Sequence, residues 1–232
     1  MDSNNIDGYY GLIRKEIFTL LPEILADSIN ILEIGCGTGA TLSEIKKKFP
    51  RSVHTIGIEI EKDLGAILES TVDEYHNIDA ESQFDEIEKL YRSKIDILLL
   101  LDILEHLNNP WQFLEKCKKS LLSNSGLIII SLPNIRNVKV LFPLIFSGEW
   151  EYSSAGILDR THLRFFTRKS AVKMIAESGL EVLAEDKTGP FTLSNIASIS
   201  GLFAYIFNRV TFNLFCDFLV HQHLFKVRKR PD

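Results

Sequence analysis

The chain has 232 residues, 26 Lys plus Arg against 31 Asp plus Glu, and a formal charge of −5, which bounds it to one domain or one domain with an appendage. With 45% hydrophobic, 10% aromatic and 25% charged residues it can bury a full core, which excludes a disordered chain, a collagen-like repeat and a disulfide scaffold. The acidic balance argues against a general nucleic-acid binder, which needs surplus Lys and Arg to neutralise phosphate.

In chain order, the polar, acidic start from Met1 to Asp7 has no secretory-signal pattern. Residues 9–26 read as a helix, with Leu12, Ile13, Ile17, Leu20 and Leu21 at helical spacing and a break or kink at Pro22. A strand over 29–34 runs into Gly35-Cys36-Gly37-Thr38-Gly39, and a helix over 41–49 follows. Then come a strand over 53–60, a helix around 63–70, a strand around 74–78 and a charged helix around 84–91. The continuous apolar run 95–101 predicts a central strand buried on both faces. A helix over 110–122 opens with proline in its first turn, and a fifth strand over 126–132 stops at Pro133. Residues 134–166 read as an irregular, aromatic-bearing insert, followed by a helix over 167–178 and a sixth strand over 180–186. The uncharged stretch 188–208 raises the question of a membrane span, but Thr192, Ser194, Asn195, Ser198 and Ser200 interrupt it, so a packed helix is preferred. After a helix over 201–218, period-two alternation from Val220 to Arg228 predicts a seventh strand.

The regular alternation predicts a single α/β domain, a Rossmann-like, mostly parallel seven-stranded sheet with helices on both faces and the last strand antiparallel. Its parts are an N-terminal helical lid (1–28), a cofactor-binding core (29–132), an acceptor-side insert (133–166) and a C-terminal completion of the sheet (167–232). Cys36, Cys117 and Cys216 lie far apart, make no zinc spacing, and leave one over if two pair, the usage of a reduced, cytosolic protein. His221 and His223 share the spacing of two metal ligands on a strand but lack a partner nearby, so they read as solvated, and no metal site is expected. The basic run Lys226 to Arg230 reads as a solvated tail in preference to a lipid contact.

Between a strand and a helix, the glycine loop lets a ligand approach the backbone and face helix N–H groups. Gly35, Gly37 and Ala40, with Glu59 about twenty residues on, also satisfy a dinucleotide fingerprint, so NAD competes as cofactor. Glu33, just before the loop, decides against it: a carboxylate repels a phosphate but attracts the ammonium and sulfonium of S-adenosylmethionine (SAM). Acids also recur at strand ends, Glu59 for the ribose hydroxyls, Asp79 for the adenine amino group and Asp102 for the methionine end. No Tyr-x-x-x-Lys pair of an NAD-dependent sugar oxidoreductase is present.

Through Leu32-Glu33-Ile34-Gly35-Cys36-Gly37-Thr38-Gly39, Gly57-Ile58-Glu59 and Leu101-Asp102-Ile103-Leu104-Glu105-His106-Leu107, the chain resembles the class I SAM-dependent methyltransferases. The resemblance implies cofactor roles for Glu33, Gly35, Gly37, Gly39, Glu59, Asp79 and Ala80; Cys36, Ile60, Asp102, Ile103 and His106 are expected beside them, and Tyr10 is expected to close over the donor from the N-terminal helix. A structural capping role competes for Glu105 and His106. Ser131-Leu132-Pro133-Asn134, Gly148-Glu149-Trp150-Glu151-Tyr152 and Gly156 through Thr167 resemble a bacterial branch encoded beside glycosyltransferases in polysaccharide clusters. That narrower resemblance implies O-methylation of a sugar or glycan. A quinone-like or amine acceptor and a non-catalytic SAM-binding module stay open as alternatives.

A hydroxyl is a poor nucleophile at neutral pH, so a base is expected near it. His162 is the expected base, with Asp159 orienting it or sharing the role. Arg160 and Arg164 are expected to meet an anionic group on the acceptor, and Trp150 and Tyr152 to pack against a sugar ring.

Overall fold

The computed structural model describes residues 10–22, 28–189 and 216–231. Seven strands, β1 (Ile29–Ile34), β2 (Val53–Glu59), β3 (Glu74–Asn77), β4 (Ile95–Leu101), β5 (Leu122–Pro133), β6 (Leu180–Thr188) and β7 (Gln222–Lys229), make one sheet. Their order is β3-β2-β1-β4-β5-β7-β6. β1 to β5 pair in parallel, while β7 runs antiparallel to both β5 and β6. The expected sheet, mostly parallel with its last strand reversed, is the one observed.

Helices α1 (Ala40–Lys48), α2 (Gly65–Thr71), α3 (Phe84–Tyr91), α4 (Pro110–Lys116), α5 (Val138–Phe146) and α6 (Arg168–Glu177) surround it. Alternate strand residues feed two cores. On one face Ile31, Ile97, Leu99 and Ile129 pack with Leu42 and Ile45 of α1, Leu68 of α2 and Ile17. On the other, Leu32, Leu98, Leu100 and Ile130 meet Ile87 of α3, Leu114 of α4 and Met174 of α6. The apolar run of β4 sits between β1 and β5 with both faces covered, as its sequence requires.

Several expectations change. Of the helix expected over 9–26, residues 9 and 23–26 lie outside the described residues, and over 11–22 the helical structure is a 3-10 turn at Lys15–Thr19. Arg14 leaves helical geometry because its N–H donates to Thr41 Oγ1 at 3.2 Å and its guanidinium is drawn to Asp102. Ile17, Leu20 and Leu21 are still buried. The helix after Asn109, capped by that side chain's acceptance from the Gln112 N–H at 3.1 Å, runs on as a π turn over Cys117–Leu121, and β5 then begins at Leu122. The insert is not wholly irregular: it contains α5, capped by Asn137, which Pro143 and an almost uniformly apolar composition conceal. α6 opens with a Thr167/Ser170 capping box. The helix expected over 201–218 and the stretch 188–208 lie almost entirely outside the described residues, apart from Thr188, Gly189 and a 3-10 turn over Cys216–Leu219. Among the described residues no helix is long and apolar enough to cross a membrane. The Lys226 to Arg230 run belongs to β7 and its continuation, with Lys229 Nζ donating to the Leu122 carbonyl at 3.1 Å.

His223 is not solvated. Because β7 lies inside the sheet, the ring is 4% exposed and its Nε2 has no hydrogen-bond partner. Burial lowers its pKa from the usual range to about 4. The unfolded chain therefore binds a proton near pH 6.5 that the folded chain refuses until about pH 4, so this stability is present above 6.5 and is lost as pH falls through that window. Between pH 7 and 4.5 the loss is expected to reach roughly 2 kcal/mol. Urea midpoints at the two pH values test this, and an equal loss in His223→Leu would remove the histidine as its source.

Candidate active site

The cleft lies beyond the carboxyl ends of the parallel strands, where an open α/β sheet collects its loops. At the end of β1 the glycine loop turns sharply, with Gly37 at φ +56°. A Cβ on Gly37 would stand 2.5 Å from the Tyr10 carbonyl oxygen. That carbonyl accepts from the Thr38 N–H at 3.0 Å and the Thr38 hydroxyl at 3.1 Å, so the N-terminal segment is bound directly onto the loop. Glu59, buried at the end of β2, accepts from the Gly37 N–H at 2.8 Å through one oxygen and from the Ile60 and Glu61 N–H groups at 2.8 and 3.1 Å through the other. Burial raises its pKa, opposed by these three N–H groups.

Glu33 is 4% exposed, and its Oε2 has no hydrogen-bond partner. Burial raises its pKa to about 8, with Arg14 opposing and Glu59 adding to the rise. Asp102, in left-handed backbone geometry at φ +54°, gathers groups from three parts of the chain. It accepts from Arg14, from the Ser131 hydroxyl at 2.7 Å and from Gln222 Nε2 at 2.8 and 2.9 Å. Asp79 turns its carboxylate toward its own chain. It accepts from the Ser82 hydroxyl at 2.7 Å and from the Glu81 and Ser82 N–H groups, and the hydroxyl leads the lowering of its pKa. The Cys36 thiol is buried, which raises its pKa well above the ordinary value and makes it unreactive.

These groups border one cavity of about 840 Å³, to which Tyr10, Gly35, Cys36, Gly37, Ile60, Ala80, Ile103, His106, Asp159 and His162 also contribute. Gly39 lies behind it as the N-cap of α1. The insert closes one side because the Leu163 and Arg164 N–H groups donate to the Glu105 carbonyl at 2.8 and 3.0 Å. This clamp brings His162 beside the turn that follows β4. Its Nδ1 lies 3.0 Å from the Ile157 carbonyl, and its Nε2 lies 3.9 Å from Glu105 Oε1. Asp159 does not hold the ring. Burial raises its pKa, but its Oδ1 accepts from the Thr161 N–H and hydroxyl at 2.8 and 2.6 Å, and the net shift is downward. Glu105 is fully buried, which raises its pKa well above the usual carboxylate range, and neighbouring Asp102 raises it further.

Four expected acceptor contacts lie away from the cavity wall. Trp150 meets Phe165 edge-to-face at 5.4 Å and Tyr152 at 6.4 Å, forming a small aromatic cluster of the insert. Arg160 is exposed, and Arg164 donates to the Asn108 carbonyl at 2.6 Å. Two groups to which the sequence assigned no role in the site are Arg14 and Gln222, both on Asp102. Gln222 stands at the end of β7 opposite Pro133.

The buried, unpartnered Glu33 oxygen beside a glycine-rich loop fits the cationic methionine end of SAM, and the acid-lined cleft beyond β2 and β3 fits its nucleoside. Fold and site together define a SAM-dependent methyltransferase. The match to the family described as "Methyltransferase domain" runs over residues 8–185, and the chain belongs to that family. Among curated relatives, a ubiquinone biosynthesis O-methyltransferase of Cereibacter sphaeroides is 28% identical over 167 residues, covering 67% of this chain and 61% of the relative. One from Histophilus somni is 28% identical over 125 residues, 52% of this chain and 51% of the relative. The chain thus spans between about half and three-fifths of these relatives' length. Among solved structures, a SAM-dependent methyltransferase from Archaeoglobus fulgidus superposes with a TM-score of 0.67 at 18% identity, covering 97% of both chains. A Haemonchus contortus phosphoethanolamine N-methyltransferase 2 bound to SAM gives 0.62 at 11% identity, covering 98% of this chain and 56% of that one. At these identities the two structures establish the fold.

Proposed function

We propose that the enzyme methylates a hydroxyl on an aromatic, quinol-type small molecule. The observation that carries this is the character of the cavity: Leu12, Leu107, Pro133, Ala155 and Ile157 line it, whereas Trp150 and Tyr152, the sugar platform expected from the insert motifs, lie outside it. The curated relatives named for ubiquinone biosynthesis support the same class. O-methylation of a sugar or glycan rests on the insert motifs alone and is the second reading.

SAM, when bound, supplies an electrophilic methyl group. Around it, the chain's task is to align groups and exclude water. Glu33 meets positive charge, Glu59 fixes the loop, and the clamp between the insert and Glu105 holds His162 at the wall. With Nδ1–H donating to Ile157, Nε2 carries the lone pair and assists loss of the hydroxyl proton. The test is mass-spectrometric detection of methyl transfer from SAM to a panel holding catechols with short prenyl tails, nucleotide sugars and lipid-linked glycans. Turnover of the catechols alone is expected. Turnover of a sugar substrate without the catechols would overturn the aromatic reading.

A further inference from the structure

We propose that Glu105, His106 and His162 form a binding site for one divalent transition-metal cation of the zinc type, at the acceptor side of the cavity. One ligand atom from each residue lies within 4.8 Å of the others. Zinc-type ligation holds such atoms about 2.0–2.2 Å from the metal, so loading the site requires the three side chains to close in on it by rotation.

Three further observations point to a cation. Both Glu105 oxygens are fully buried without a hydrogen-bond partner, a costly state for a carboxylate unless something positive meets it. Both imidazoles have Nδ1 engaged: His162 Nδ1 lies 3.0 Å from the Ile157 carbonyl, and His106 Nδ1 lies 3.0 Å from the Thr161 hydroxyl, which itself donates to Asp159, and 3.3 Å from the Thr161 carbonyl. Each ring is thereby set as the Nδ1–H tautomer with a free lone pair on Nε2, the orientation that carbonyl partners impose on metal-bound histidines. The rings face each other at 4.7 Å, inclined by 73°. The hydrogen bonds from Leu163 and Arg164 to the Glu105 carbonyl keep the third ligand in register with the first two.

Two histidines and one carboxylate make a three-ligand set that leaves a coordination position open. All three residues line the cavity, so that position faces the acceptor. The role of the cation rests on the methyl-transfer reading above and, in the loaded site, takes the place of His162 in drawing off the hydroxyl proton, because a ligating Nε2 has no lone pair left to act as a base. The acceptor hydroxyl oxygen binds the cation, its O–H bond breaks with the proton passing to solvent, and the resulting oxyanion forms the new C–O bond as the methyl–sulfur bond breaks. S-adenosylhomocysteine leaves neutral at sulfur.

The test uses the full chain, stripped with a chelator, without acceptor. Isothermal titration with Zn²⁺ and the visible spectrum with Co²⁺ are expected to show one equivalent bound in a low-symmetry nitrogen and oxygen environment. His162→Ala and Glu105→Gln are each expected to weaken Zn²⁺ binding by at least about 100-fold, with circular dichroism and SAM titration reporting an intact fold. If Glu105→Gln fails to fold, His162→Ala decides alone. No binding of either metal to the native chain, or binding undiminished in folded His162→Ala, overturns the site. Because metal binding is read without an acceptor, its failure is distinct from failure of the aromatic-acceptor reading.

Discussion

Glu59→Ala is expected to lower SAM affinity by at least about 100-fold and to destabilise the fold by roughly 2–3 kcal/mol. The side chain does more than face a ligand. One of its oxygens holds the Gly37 N–H, and the other holds the Ile60 and Glu61 N–H groups, so a single carboxylate joins the glycine loop to the end of β2. Removing it leaves the buried Gly37 donor without an acceptor, at a cost of about 1–3 kcal/mol. The Ile60 and Glu61 donors are only partly buried, so water offsets most of their loss. The loop then loses the geometry in which Gly37 passes close to Tyr10. Glu59→Gln keeps an acceptor but presents an NH₂ to an N–H donor, and falls between. Titration calorimetry and thermal denaturation measure both effects, and native SAM affinity in a folded Glu59→Ala would refute the joint role.

SAM affinity is also expected to rise about tenfold between pH 6 and 7, below the titration of an α-ammonium group. Burial holds Glu33 protonated until about pH 8 in the empty site, and a bound cation requires the ionised form. Binding below pH 8 therefore releases a proton, and less of that cost remains as pH approaches the folded pKa. The same shift has the opposite sign for the unliganded fold: the stability is fully present below the unfolded pKa of 4.5 and is lost as pH rises through about 8. SAM thus stabilises most where the empty protein is weakest. Calorimetry in two buffers of different ionisation enthalpy counts the released proton. A slope that persists unchanged in Glu33→Gln would place the proton on another group.

The convergence of Glu33, the glycine loop and Glu59 on one cleft was legible because its information is local. Glu33, the glycine loop and Glu59 sit at strand ends whose apolar runs are unambiguous, and once the strands are parallel their ends must converge. Asp102 was legible as a position but not as a structure. Its partners Arg14 and Gln222 stand 88 and 120 residues away, and no local pattern connects them. The acceptor side depends on how the insert folds back. Trp150 and Tyr152 have residue types suited to a sugar, yet Trp150 packs against Phe165 and Tyr152 against Trp150, and α5 hides behind Pro143. His223 was misplaced because period-two alternation assigns faces to a strand and cannot say that both faces are covered. The Glu105, His106 and His162 group has no recognisable ligand spacing, since His162 arrives from the far end of the insert.

The position of β7 also governs how the molecule can be assembled. The last of the described strands in chain order fills an interior slot, and among the described residues β6 has no other strand beside it. While a ribosome is still making β7, the β1–β5 half can collapse, but it presents β5 as an open hydrogen-bonding edge, the kind that recruits other chains. Completion is then a long-range insertion that docks two strands at once, the slow type of step in sheet formation. Gln222, at the leading end of that strand, reaches Asp102 only when the slot is filled. The cofactor side of the cleft is therefore finished by the closing event of folding, so a chain that has not completed its sheet has not completed its active site either.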